Sequence, residues 1–133
     1  MSREMWLKAA LATFGAVFCF IYPLAKYWPS GWAWHHGLPY ESHYFMMIVG
    51  VYATLGVFLM RASRNPQANL SLIWFTVWSS LVHGVIMAAQ SFGMANGMNN
   101  MGHLAGDVPA LILVAIVLGG LMLAREKTVK AMA

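Results

Sequence analysis

The chain has 133 residues, of which 60% are hydrophobic and only 9% charged, and its mean hydropathy is +0.63. A water-soluble domain carries roughly 25% charged residues, so a surface facing water on all sides is excluded and a single integral membrane domain is expected. The formal charge of +4 is better explained by membrane topology than by an acidic partner, and no nucleic-acid binding is expected.

A helix needs about 20 apolar residues to cross the hydrocarbon core, and four segments qualify. The first runs from Met5 to about Tyr22. Arg3 ahead of an apolar run suits a signal peptide, but Phe14, Phe18, Phe20, Ile21 and Tyr22 keep the segment long and aromatic to its end. No small-residue cleavage site precedes Pro23, so a retained span is expected. Cys19, the single cysteine, cannot form an internal disulfide and reads as a small packing residue.

The stretch "PLAKYWPSGWAWHHGLPYESH" follows, rich in Trp, Tyr, Pro and Gly. It suits an interfacial loop, where an aromatic body and a polar N–H both find a favourable medium. The second span runs from Tyr44 to Met60, and "RASRNPQAN" is a polar turn punctuated by Pro66. The third span runs from Leu70 to Met94, "NGMNNMG" is a tight turn, and the fourth span runs from His103 to Leu123. The expected fold is all-α: an antiparallel four-helix transmembrane bundle.

Positive charge sets the orientation. Arg3 and Lys8 precede or open the first span, Arg61 and Arg64 lie between the second and third, and Arg125, Lys127 and Lys130 follow the fourth. Only Lys26 falls on the opposite side. Both termini of a multi-pass chain are therefore expected in the cytoplasm, and the opposite side is the periplasm if the host is a Gram-negative bacterium. His35, His36, Glu41, His43, His103 and Asp107 then face the outer side, with Glu4 and Glu126 as solvated charges at the cytoplasmic end.

Polar residues inside the spans define the candidate site. Thr76, Ser79, Ser80, His83, Met87, Gln90 and Met94 recur at spacings of three and four along the third span, which places them on one side of a helix. The hydroxyls read as helix-packing groups. His83 and Gln90 are more costly in hydrocarbon and should face the bundle interior or a cavity. His103 and Asp107, four residues apart, share a face within roughly 6 Å along the axis. A ligand pocket of His83, Gln90, Asp107, Trp78 and Met87 is expected, opening outward, with Trp74, Phe75 and Phe92 as further aromatic lining.

Three uses compete for such a pocket. His and carboxylate groups suit a transition metal, copper or zinc, for which Glu41, His43, His103 and Asp107 are the candidate ligands. Met94, Met98 and Met101 would add thioethers, although packing or loop filling is the favoured reading of methionines in so apolar a chain. Second, the same groups can form a purely structural network, because unpaired polar groups in lipid are costly. Third, His and Asp can exchange a proton with a carbonyl or hydroxyl of a quinone, a lipid or another hydrophobic molecule.

The blocks "SLIWFTVWSSLVHG" and "GHLAGDVPAL" resemble small four-helix bacterial integral membrane proteins of unknown function. That resemblance implies the fold and a bacterial source and assigns no chemistry to His83, Gln90, His103 or Asp107. The general plan is also similar to DoxX-like proteins, at the level of architecture alone. The sequence shows no nucleotide motif, no CxxCH haem attachment and no extramembrane domain. The expected role is an accessory subunit of a bacterial membrane complex, one that handles electrons or small oxidisable molecules. Its partners are the lipid bilayer and other membrane subunits or further copies of itself, and its pocket binds a metal ion or a small ligand. The alternatives are a stand-alone membrane enzyme or binding protein for a quinone or lipid, and a copper or zinc binding or transport protein. No catalytic residue can be named, and the reading leans away from an enzyme.

Overall fold

The computed structural model describes residues 3–29, 38–92 and 101–132. Among the described residues there is no strand; the α-helices are α1 (Arg3–Cys19), α2 (Ile21–Tyr27), α3 (His43–Ala62), α4 (Leu70–Ser91) and α5 (Asp107–Met132). Short 3-10 turns lie at Pro39–Glu41, Pro66–Asn69 and Met101–Leu104.

The first apolar segment is not one straight helix. α1 and α2 meet at a bend of 58°, and Pro23 accounts for it. Its ring nitrogen has no hydrogen to give to the Cys19 carbonyl, and the ring crowds that carbonyl four residues back. Phe20 absorbs the break at φ −101 and ψ 12, with its N–H on the Val17 carbonyl at 2.9 Å. Pro23 then sits in the first turn of α2, where a missing N–H costs little.

The other helices start where their caps say. Ser42 Oγ accepts the Phe45 N–H at 3.2 Å to open α3. Asn65 Oδ1 accepts the Ala68 N–H at 3.4 Å, and Pro66 leads the turn into α4. The α-helical part of the last span starts at Asp107 rather than His103, which belongs to the preceding 3-10 turn. Pro109 explains the difference: it cannot donate to the Ala105 carbonyl, so the i→i−4 ladder does not run back through that step. The expected "NGMNNMG" turn lies largely outside the described residues, as do His35, His36, Met94 and Met98.

α1 packs chiefly on α3 and α4 on α5, with α1 also touching α5. Their shared core holds Leu7, Leu11, Phe18, Leu59, Ile73, Val77, Val114, Leu118 and Met122. The α1–α3 contact is made by glycine. A Cβ added to Gly15 would lie 2.7 Å from the Gly56 carbonyl oxygen, and one added to Gly56 would lie 2.5 Å from the Gly15 carbonyl oxygen. The two backbones touch directly, as small residues permit in apolar bundles. Cys19 fits its packing role, with Sγ 3.6 Å from the Ala53 carbonyl oxygen.

Among the described residues, three helical stretches are long and apolar enough to cross a membrane: His43–Ala62, Pro66–Ser91 and Gly102–Lys127. The bent pair α1–α2 makes a fourth if it counts as one span. Outward-facing Val51, Phe58, Phe75, Val85, Leu113 and Ile116 are exposed, a surface that water would disfavour and lipid would accept.

Candidate functional site

Two hydrogen-bonded pairs form the polar interior. On α3, Tyr52 Oη lies 2.6 Å from Nδ1 of His83 on α4. The phenol donates when His83 carries its proton on Nε2 and accepts when the proton is on Nδ1. The Tyr52 ring also meets Phe18 of α1 edge-on, with centroids 5.0 Å apart, so one side chain ties three helices together. In the second pair, His103 Nδ1 lies 2.7 Å from Asp107 Oδ2. The turn Met101–Leu104 presents His103 to the first residue of α5, and the four-residue spacing suffices although His103 is not itself α-helical.

Asp107 is only 8% exposed. Its Oδ1 is buried and has no hydrogen-bond partner among the described residues. A neutral His103 with its proton on Nδ1 donates to Oδ2; a protonated His103 makes the contact an ion pair. The charges of Asp107 and His103 both reach His83, and that of Asp107 also reaches Tyr52. Asp107 thus lies within electrostatic range of both members of the Tyr52–His83 pair.

The remaining predicted site residues are placed as follows. Met87 is half-buried on α4, whereas Gln90 is exposed in its last turn. The expected inward orientation of Gln90 does not hold: the buried stripe of α4 runs through Ser80, Gly84 and Ser91, and Gln90 lies beside that stripe rather than on it. Trp78 is 59% exposed and so presents its ring to the surroundings. Glu41 is exposed and folds back on its own turn, its Oε2 accepting the Leu38 N–H at 3.0 Å. His43 opens α3 and is exposed. Among the described residues no three His, Cys, Asp or Glu side chains gather closely enough to share a metal ion, so Glu41 and His43 do not complete a ligand set with His103 and Asp107.

Thr76 and Ser80 of α4 are buried in the helix packing, as expected. Thr76 Oγ1 donates to the Leu72 carbonyl at 2.9 Å and Ser79 Oγ to the Thr76 carbonyl at 3.3 Å. These bonds stay within one helix. The side-chain bond between α3 and α4 is made instead by Tyr52, which sequence reasoning passed over. Its signal was available in "GVYATLG": a phenolic hydroxyl in mid-span needs a partner, and His83 is a mid-span acceptor.

A second polar cluster marks the other end of the molecule. Arg3 Nη1 donates to the Ala124 carbonyl at 3.2 Å, Arg125 donates to Gln67, and Lys8 pairs with Glu4 at 2.7 Å. The start of α1, the turn after α3 and the last part of α5 thus meet.

Fold and site together define a class: among the described residues, a helical protein with three apolar helices of spanning length, or four if the bent pair is one span, and with a His–Asp pair and a Tyr–His pair in its interior. The chain belongs to the DUF6632 family, a family of unknown function, which it matches over residues 2–132. Comparison with curated proteins and with solved structures finds no match.

Proposed function

We propose that this protein is an accessory subunit of a bacterial inner-membrane complex and that the unit of Tyr52, His83, His103 and Asp107 holds a small hydroxyl-bearing ligand of the quinol type. The chain forms an antiparallel bundle of four spans, the first bent at Pro23, with both termini in the cytoplasm. Supporting that arrangement, Gly15 meets Gly56 and Met60 while Cys19 meets Gly56 and Ala53, so α1 and α3 run in opposite senses. Basic residues gather at the end where Arg3 and Arg125 make their contacts, which suits the cytoplasmic face.

One observation carries the functional reading: Asp107 Oδ1 is buried and lacks a hydrogen-bond donor among the described residues. The Val108 N–H is the nearest backbone donor to this carboxylate, and a buried polar atom left short of a full partner costs about 1–3 kcal/mol, which favours a further donor from outside the described residues. A hydroxyl fits, because it donates to Oδ1 while His103 holds Oδ2 in place. The electrostatically linked Tyr52–His83 pair can then accept or return a proton, which gives the site acid–base capacity without making it a catalytic centre.

Purification from the native host in mild detergent tests this directly. Mass spectrometry should find a copurifying quinol or quinone, together with partner subunits, and elemental analysis should find no stoichiometric transition metal. The ligand should be lost in Asp107→Ala and retained in His43→Ala. Undiminished ligand in Asp107→Ala would remove the site assignment, and a monomer fully occupied without partners would remove the subunit role.

A further inference from the structure

A groove of about 540 Å³ runs between α1 and α5, well away from the polar site. Trp6, Ala9, Ala10 and Thr13 form one wall, with Val117 and Gly120 on the other. Small residues create the space: a Cβ at Gly120 would meet nothing within 4 Å. The groove is apolar along its length, and its end is not. Arg3 lies on the same helical face as Trp6 and Ala10, three and seven residues before them. Its guanidinium reaches across to the Ala124 carbonyl at 3.2 Å and so stands between the two helices at the groove's mouth. Lys127 is seven residues beyond Gly120, on the same stripe of α5, and is exposed. The nearby acid Glu4 is paired with Lys8 at 2.7 Å, on the opposite side of α1.

We propose that this groove is a binding site for an anionic phospholipid of the cytoplasmic leaflet. One acyl chain lies along Ala9, Ala10, Thr13 and Gly120, and the phosphate meets Arg3 and Lys127. The proposal rests on the membrane-spanning reading above. Charge selects the occupant. Small-residue walls alone would equally receive a partner helix or a second copy of this chain, but two cations at the mouth of an apolar channel match the layout of an acidic lipid, charge first and hydrocarbon behind it. Guanidinium in particular presents several N–H donors to a phosphate while still bonding a carbonyl. Trp6, 54% exposed at the same end, belongs at headgroup level.

The full chain in mild detergent, titrated with phosphatidylglycerol or phosphatidylcholine and read by native mass spectrometry, provides the test. Phosphatidylglycerol should be retained in clear preference. Arg3→Gln and Lys127→Gln should each weaken it about fivefold, and together about 25-fold, the effect of removing one and two basic contacts. Gly120→Leu should fill the groove and abolish retention, while Lys8→Gln, on the far face, should leave it unchanged. If the groove variant fails to fold, exposed Lys127→Gln still decides the charge dependence. Equal retention of the two lipids overturns the proposal, as does phosphatidylglycerol binding that survives Gly120→Leu. A dimer or a copurifying protein that Gly120→Leu releases overturns it too, by showing another occupant. Alkaline carbonate extraction of native membranes separates the premises: release of the chain sinks the membrane reading itself, whereas a resistant chain without lipid preference sinks the lipid site alone.

Discussion

Asp107 owes its burial to position. As the first residue of α5, below a turn that brings His103 against it, it is nearly enclosed while keeping one strong partner at 2.7 Å. His103→Ala would leave both carboxylate oxygens short of donors, and the expected loss is about 1–3 kcal/mol, visible as a lower thermal midpoint in detergent. Removing both partners is gentler than removing one, so adding Asp107→Leu to His103→Ala should recover part of that loss. Strictly additive losses would show that the two side chains do not act as a pair. Tyr52→Phe keeps the edge-on contact with Phe18 and deletes only the hydroxyl on His83. Its expected cost is about 0.6 kcal/mol and at most about 1.7 kcal/mol, the average and maximum for hydrogen bonds between membrane helices, and an unchanged thermal midpoint would argue against the bond. The His103–Asp107 pair was legible because a four-residue spacing survives whether the first residue is in an α-helix or in the turn before one. Tyr52 and His83 are 31 residues apart, and no local period announces such a contact. The exposure of Gln90 was hidden for a related reason: polar spacing grouped it with His83, whereas the buried stripe of α4 passes through Gly84 and Ser91 beside it.

At the scale of elements, apolar length located the helices and proline set their real ends. Pro23 and Pro109 both lie inside stretches read as continuous spans, and each moved a boundary by removing one donor. The α1–α3 crossing was less legible, since Gly15, Gly50, Gly56 and Gly120 look alike in the sequence and only the packing separates them. That separation is testable. Gly56→Ala places a methyl within 2.5 Å of the Gly15 carbonyl oxygen, so the helices must part, at a cost of about 1–3 kcal/mol as for other overpacked cores. Gly50→Ala meets nothing within 4 Å and should stabilise α3 by about 0.5–1 kcal/mol through lower backbone entropy in the unfolded chain. Thermal unfolding of the two variants side by side checks the contrast. Equal effects would mean that α1 and α3 do not meet at Gly56.

For the whole molecule, the two ends differ in chemistry, and that difference gives the topology an experimental handle. One end carries Arg3, Arg61, Arg64, Arg125 and Lys127 around the turn containing Gln67; the other carries Glu41, His43, His103 and Asp107. Charge bias orients a multi-pass chain only if these sets lie on opposite faces of the bilayer. Cys19 is the single natural cysteine, so a Cys19→Ala background leaves no thiol, and single cysteines at Tyr40 and Gln67 then report on one end each. Both positions are exposed, which makes reactivity a matter of side rather than of burial. In intact cells an impermeant maleimide should label Tyr40→Cys and spare Gln67→Cys; in inverted vesicles the pattern should reverse. Labelling of both from the same side would break the four-span arrangement, because an even number of crossings could then separate them. Reversed labelling would keep the bundle and turn it over, placing the His103–Asp107 pair toward the cytoplasm and the basic mouth of the α1–α5 groove in the outer leaflet.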